Sequence, residues 1–210
     1  MPRFAANLSM LWPELPILER LGAAAEAGFR HIEILRPDEL DRDALVAELR
    51  RHQLDLVLFN TQRGPFPDDL GTLAVPGREV AFRDTIDAAL DLAAATGTKL
   101  LHVIGGAVPP NFTPDQARAT AVNNLRALAP NAAAAGVTLL LENINAVDRP
   151  GDPFPTPAVA ARAVEQVAHP AVGLQFDFFH AGRAGLDPIA EFRRFKHLAR
   201  HVQIADAPGR

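Results

Sequence analysis

The sequence predicts a single α/β domain built as a barrel of parallel strands. Short apolar runs alternate with longer helical patterns along the 210 residues, which is the order that a parallel sheet with crossover helices requires. Several runs are apolar at nearly every position, as strands buried on both faces are. The predicted strands are 4–9, 31–35, 55–60, 99–105, 138–144, 172–178 and 201–205.

A doubly wound open sheet would give the same alternation of strands and helices. The first predicted strand, however, is followed by Ser9-Met10-Leu11-Trp12-Pro13 rather than by the glycine-rich turn of a dinucleotide-binding fold. This difference favours the barrel.

Helix boundaries are marked by residues with a clear physical role. Three predicted helices begin with an N-cap residue followed by proline, at Thr113, Thr156 and Asp187. Gln116 lies three residues after Thr113, which predicts a capping box. Three glycines follow helical patterns and are expected to close them in a left-handed conformation, namely Gly28, Gly97 and Gly136.

Two proline-containing segments depart from regular structure. Pro130 lies inside a long helical pattern, where it costs about 3 kcal/mol unless the helix kinks or breaks, so we expect a kink there. Residues 150–155 contain three prolines and are predicted to form a loop over one face of the barrel.

Composition and charge narrow the class of partner. A formal net charge of −4, with no dense run of Lys or Arg, argues against a nucleic-acid partner and favours a small molecule. The absence of cysteine excludes disulfides, thiolate catalysis and thiolate metal sites. No apolar segment approaches the roughly 20 residues that span a bilayer, and we expect a cytoplasmic protein with no membrane partner. The sequence leaves open whether the chain forms a homo-oligomer.

Polar side chains end the late strands. Reacting groups of (β/α) barrels lie at the carboxyl ends of the strands, so Glu142 after the fifth strand and Asp177 after the sixth are candidates. Carboxylates at the ends of apolar strands are costly unless they are paired or bound to a cation, which predicts a metal between these neighbouring strands. A simple ion-paired residue at a strand end is the alternative.

The sequence resembles the hydroxypyruvate isomerase family of xylose-isomerase-like TIM barrels from its first residues to its last. The resemblance is carried by segments 4–11, 75–79, 101–103, 142–145, 201–206 and 208–210. It implies a (β/α)8 barrel and an isomerase of the aldose-ketose type, which interconverts hydroxypyruvate and tartronate semialdehyde (2-hydroxy-3-oxopropanoate) through an enediolate. Such an enzyme belongs to carbohydrate and glyoxylate metabolism.

The resemblance also implies roles for individual residues. Glu142 is expected to be catalytic. A magnesium or manganese ion is expected to bind Glu142, Asp177 and Gln203. The alternative role of Gln203 is a hydrogen bond to the backbone at the strand end. His180 and Arg210 are expected to bind the substrate, which is a hydroxy-carbonyl acid. Helix capping is the alternative for His180.

Two further residues have less defined expectations. His102 is expected to be a satisfied core residue rather than a catalyst. Glu33 ends the second strand, and it is expected either to support the site from behind or to form a surface salt bridge.

The chain departs from the family pattern in ways that keep other functions open. Asn143 stands where a proline is usual. An eighth β/α unit with a second glutamate is expected to be missing from residues 1–210, so these residues are expected to form a single barrel domain that is incomplete at its C-terminal end. The alternatives are a 2-oxotetronate isomerase or ketose epimerase of the same superfamily, and a non-catalytic truncated barrel. An abasic-site nuclease would need more histidine ligands and a basic groove.

Overall fold

Seven parallel strands form one sheet in which the spatial order follows the chain. The structure is a computed structural model, and it describes residues 3–66 and 69–206. The strands are β1 (Ala5–Asn7), β2 (His31–Ile34), β3 (Asp55–Asn60), β4 (Leu100–His102), β5 (Thr138–Glu142), β6 (Val172–Asp177) and β7 (Ala199–Gln203). The predicted alternation is confirmed, although β1 and β4 are only three residues long.

The helices connect successive strands. They are α1 (Glu19–Glu26), α2 (Arg42–His52), α3 (Glu79–Thr96), α4 (Pro114–Ala134), α5 (Pro157–Val167), α6 (Phe178–Arg183) and α7 (Pro188–Phe195), with a short 3-10 helix at Pro37–Glu39. Every neighbouring pair of strands is parallel, so all the carboxyl ends of the strands lie at the same side of the sheet.

The core lies between the strands and the helices that cover them. All six residues of β6 are buried, including the polar Gln175 and Asp177, as in a strand that is covered on both faces. Leu139 and Leu141 of β5 belong to the same buried cluster as Leu125 of α4 and Val164 of α5. Each fully buried side chain of this size contributes roughly 1.5–3 kcal/mol to stability.

The predicted helix boundaries are confirmed. Thr113 and Gln116 form a reciprocal capping box, in which the Thr113 amide donates to the Gln116 side chain over 2.8 Å and the Gln116 amide donates back over 3.2 Å. Thr156 and Asp187 also accept backbone amides in the first turns of their helices. The three closing glycines all have positive φ, with values of 89° at Gly28, 76° at Gly97 and 67° at Gly136.

Pro130 does not break its helix. Helix α4 continues for four residues beyond it, to Ala134, and the Pro130 side chain is exposed. At this position the ring meets solvent rather than the core, so the cost of the proline is confined to the helix backbone.

The segment that follows β3 is tied to the end of β4. Gly71 forms an isolated antiparallel bridge with Gly105, and Ala74 donates its amide to the Gly105 carbonyl over 2.8 Å. Gly71 has φ +127°, and a Cβ there would lie 2.5 Å from the Gly106 nitrogen. Glycine is therefore required at this crossing.

The proline-rich segment between β5 and α5 is irregular, as predicted, and it packs inward. The Ile144 amide donates to the Phe154 carbonyl over 3.1 Å, and the Phe154 side chain is buried. The Val108 amide donates to the Gly151 carbonyl over 2.9 Å, which joins this loop to the one after β4. The loop therefore has a fixed position beside the carboxyl ends of the strands.

Among residues 3–66 and 69–206, no helix combines the length and apolar character needed to cross a membrane.

Candidate active site

The carboxyl ends of the strands surround a cavity of about 1050 Å³. Every strand contributes its last residue or a residue close to its end to the wall. These wall residues are Asn7, Glu33, Asn60, His102, Glu142, Asp177 and Gln203. The cavity therefore lies where parallel (β/α) barrels carry their reacting groups.

Three buried side chains meet in this cavity. Glu142, Asp177 and His180 each offer one potential ligand atom, and these atoms all lie within 4.8 Å of one another. The His180 Nε2 atom is 3.8 Å from Glu142 Oε1 and 3.9 Å from Asp177 Oδ2. Two buried carboxylates this close together favour a cation between them. The predicted meeting of Glu142 and Asp177 at neighbouring strand ends is confirmed.

Asp177 is held by contacts on both sides. Its Oδ1 atom accepts the His180 amide over 3.1 Å as the N-cap of α6. The Asn143 side chain donates to the Asp177 carbonyl and accepts the Asp177 amide, both over 3.1 Å. A proline at position 143 could make neither of these bonds, because its side chain carries no polar group. Asn143 therefore joins the ends of β5 and β6 through its side chain.

The orientation of the Asn145 side chain determines which nitrogen of His180 faces the cavity. Asn145 Oδ1 accepts the amides of Val147 and Asp148 over 3.0 and 2.9 Å, so the Nδ2 group must point the other way. That Nδ2 group lies 2.6 Å from His180 Nδ1. An amide nitrogen only donates, so His180 Nδ1 accepts and the proton of the neutral ring lies on Nε2. His180 therefore presents an N–H group toward Glu142 and Asp177.

His102 is buried, as predicted, but it lies in the wall of the cavity and its Nδ1 atom has no hydrogen-bond partner among the described residues, so the expectation of a satisfied core residue is wrong. Its Nδ1 atom is 3.3 Å from Glu142 Oε2, although the direction of this contact is not that of a hydrogen bond. Burial, and then nearby positive charge, chiefly that of Arg149, lower the pKa of His102 to about 3. His102 is therefore neutral beside Glu142 at physiological pH.

Gln203 lies in the same cavity and has two side-chain partners. Its Nε2 group donates to Glu33 Oε2 over 2.7 Å, and its Oε1 atom accepts from Gln175 Nε2 over 2.8 Å. A carbonyl oxygen has two lone pairs, so Oε1 can accept this bond and still bind a cation. Glu33 is buried, and the expectation of a surface salt bridge for it is wrong.

The cations around the cavity differ in how they are engaged. Arg210 lies outside the described residues. Arg36 is held by Asp38 and Glu39 at 3.1 and 3.0 Å. Arg149 is half-buried in the loop after β5, lines the cavity, and lies close enough to His102 to lower its pKa.

Comparison with known proteins gives the family. Residues 21–210 match the family described as xylose isomerase-like TIM barrel. This chain belongs to that family. The 2-oxo-tetronate isomerase of Cupriavidus necator is 38% identical over 100% of this chain and 81% of its own length. The hydroxypyruvate isomerase of Escherichia coli is 34% identical over 100% of this chain and 82% of its own length.

A solved structure confirms the fold. The Brucella melitensis protein described as an AP endonuclease of family 2 has a TM-score of 0.95 and is 37% identical, covering 100% of this chain and 81% of that one. The seven strands are thus those of a xylose-isomerase-like (β/α) barrel, as predicted, and the first six are each followed by at least one helix in the described part. The isomerase relatives make the chain an isomerase-type enzyme of this family.

Several residues of the site had no individual signal in the sequence. Gln175 lies inside β6 and His201 inside β7, and only the folded sheet brings them to Gln203 and Glu33. Asn145 was visible as a polar residue after β5, but its contact with His180 spans 35 positions of the chain.

Proposed function

We propose that this chain is a metal-dependent isomerase of short hydroxy-oxo acids, and that it interconverts hydroxypyruvate and tartronate semialdehyde. One observation carries the proposal: Glu142 lies buried at a strand end, within 4.8 Å of ligand atoms of Asp177 and His180, in a cavity wide enough for a small acid. This arrangement combines a proton-transferring carboxylate, a cation site and an N–H donor.

Glu142, Asp177 and Gln203 are the proposed ligands of a magnesium or manganese ion. All three offer oxygen, which suits hard cations and disfavours metals that prefer sulfur. When bound, the ion would polarise the substrate carbonyl and stabilise negative charge on its oxygen. His180 is left out of this ligand set because its ring presents N–H, rather than a lone pair, toward the carboxylates.

The proton transfer is proposed for Glu142. The carboxylate would take a proton from C3 of hydroxypyruvate, which gives an enediolate, and return it to C2. The hydroxyl proton would move from the oxygen on C3 to the oxygen on C2, so the product is tartronate semialdehyde with no net change in atoms. A carboxylate has two oxygens, so one can contact the metal while the other moves the proton. The His180 Nε2–H group would donate to a substrate oxygen, and neutral His102 would stay beside Glu142 without competing for the proton.

The substrate carboxylate needs a cation. The family resemblance implies that Arg210 binds this carboxylate, and we keep that role as a proposal. Among the described residues we propose Arg149, because it lines the cavity and its charge reaches His102, which itself lies 3.3 Å from Glu142. A guanidinium can hold a carboxylate through two parallel hydrogen bonds.

A second candidate substrate is the four-carbon acid 2-oxotetronate. The name of the Cupriavidus necator relative, at 38% identity, favours it, and a cavity of about 1050 Å³ accommodates one more carbon. The nuclease name of the Brucella melitensis structure is less well supported here. The chain has a net charge of −4, and the one metal-capable group in the described part of the chain has a single histidine.

The test is a Glu142→Gln variant assayed on hydroxypyruvate and on 2-oxotetronate. Loss of the proton-transferring group is expected to lower kcat by at least about 100-fold, since general acid-base catalysis is commonly worth 10² to 10⁴. Manganese binding, measured by isothermal titration, should weaken in the same variant. Glu165→Gln, an exposed glutamate on α5, is the matched control and should behave as wild type. Near wild-type turnover in Glu142→Gln would refute the proposal.

A further inference from the structure

A buried carboxylate joins the second strand to the seventh. Glu33 is the penultimate residue of β2. It accepts from His201 Nε2 over 2.5 Å and from Gln203 Nε2 over 2.7 Å. A longer contact of 3.5 Å comes from Asn7 on β1. Glu33 lies outside the group of Glu142, Asp177 and His180, although it lines the same cavity.

This carboxylate determines the direction of a chain of hydrogen bonds. A carboxylate only accepts, so the group of Gln203 that faces Glu33 must be its NH₂. The Oε1 atom of Gln203 then points away from Glu33, and it accepts from Gln175 Nε2 over 2.8 Å. Because each amide has one donor end and one acceptor end, the orientation of Gln203 fixes that of Gln175 as well.

We infer that Glu33 is a positioning residue, which holds the Gln203 side chain with its carbonyl oxygen available to the cation site. This inference rests on the proposed function in one respect, namely that Gln203 is a metal ligand. Glu33 acts only through Gln203. Outer hydrogen bonds of this kind orient ligands in metal sites generally, and their loss typically weakens metal affinity 10- to 100-fold.

The test is the Glu33→Gln variant, titrated with manganese in the absence of substrate. His201 and Gln203 donate to different oxygens of Glu33, and a carboxamide replaces one of these oxygens with an NH₂ group that only donates, so one of the two bonds is lost. We expect manganese affinity to fall about tenfold or more. Glu165→Gln is again the matched control, and thermal melting of each variant reports its fold.

A double-mutant cycle separates positioning from a general effect on the fold. Gln203→Ala should weaken manganese binding, and adding Glu33→Gln to it should cause no further loss, because the positioned group is already gone. Equal losses with and without Gln203, or no loss in Glu33→Gln when Gln203→Ala weakens binding, would overturn the inference. Failure of the wild-type protein to bind manganese, or unchanged binding in Glu142→Gln, would instead count against the proposed function.

A measurement on the wild-type protein covers the case in which Glu33→Gln does not fold. The side-chain NH₂ signals of Gln203, identified by their loss in Gln203→Ala, should exchange with solvent more slowly than those of exposed Gln62, because they are bonded to a buried carboxylate. Exchange as fast as that of Gln62 would contradict the positioning role.

Discussion

Replacing Asp152 by asparagine is expected to stabilise the protein at neutral and alkaline pH. Burial in the loop after β5 raises the pKa of Asp152 to about 7, against the opposing effects of the Phe154 amide and of Arg149. The unfolded chain has the ordinary pKa of about 3.8. Between these two values the folded protein binds the extra proton, so wild-type stability falls as pH rises from about 4 to 7, and the full cost is present above 7.

The size of the effect follows from the two pKa values. Each tenfold change in proton affinity corresponds to 1.36 kcal/mol, which sets a ceiling of about 4 kcal/mol. Asp152 is partly accessible to solvent, so we expect about 1–3 kcal/mol at pH 8. In the wild type, Asp152 Oδ1 accepts the Phe154 amide over 2.8 Å. The side-chain oxygen in the Asp152→Asn variant can still accept this bond.

Urea unfolding of wild type and Asp152→Asn at pH 4.5, 6, 7 and 8 measures this difference. Contributions from all other groups cancel, and the advantage of the variant should grow with pH. Asp148→Asn is a control in which the change in stability should have the opposite sign. Hydrogen bonding from Asn145 and then Arg183 lowers the pKa of Asp148, so its charge stabilises the folded protein and this contribution is lost only as pH falls below 4. A difference between wild type and Asp152→Asn that does not change with pH would refute the reasoning.

Two further predictions concern the site. Asn145→Asp keeps the oxygen that accepts the Val147 amide but turns the donor facing His180 Nδ1 into an acceptor, so the ring proton should move to Nδ1. The nitrogen NMR shifts of the His180 ring should show this change, and kcat/KM should fall about tenfold. An unchanged tautomer would contradict the argument. Arg149→Met removes the charge but keeps an apolar stem, so KM for hydroxypyruvate should rise about tenfold while KM for dihydroxyacetone, which has no carboxylate, stays constant. Equal losses on both compounds would exclude the carboxylate contact.

The sequence predicted the elements well because their causes are local. An apolar run such as Leu139–Leu141 predicts a buried strand wherever it lies in a fold, and the capping box at Thr113 depends on residues three positions apart. The carboxyl ends of these runs then indicated Glu142 and Asp177, because parallel strands bring their ends to one side of the sheet.

The contacts that orient the site could not be predicted in the same way. The tautomer of His180 depends on a side chain 35 positions away, and the orientation of Gln203 depends on Glu33, 170 positions away. Periodicity indicates which face of a strand is buried, but it does not determine which polar groups meet across a barrel. The same limit explains why Glu33 was equally compatible with a surface salt bridge.

The bond between Glu33 and β7 also has a consequence for how the chain folds during synthesis. Glu33 lies 26 positions from its β1 neighbour Asn7 but 168 from His201, and closing the longer loop directly costs about 1.7 kcal/mol more. The cost becomes small only after the intervening strands have assembled in order. Until His201 leaves the ribosome, a lone carboxylate at the end of β2 is expensive to bury and stays hydrated. We therefore expect the carboxyl end of β2 to stay hydrated during synthesis until β7 is available to Glu33.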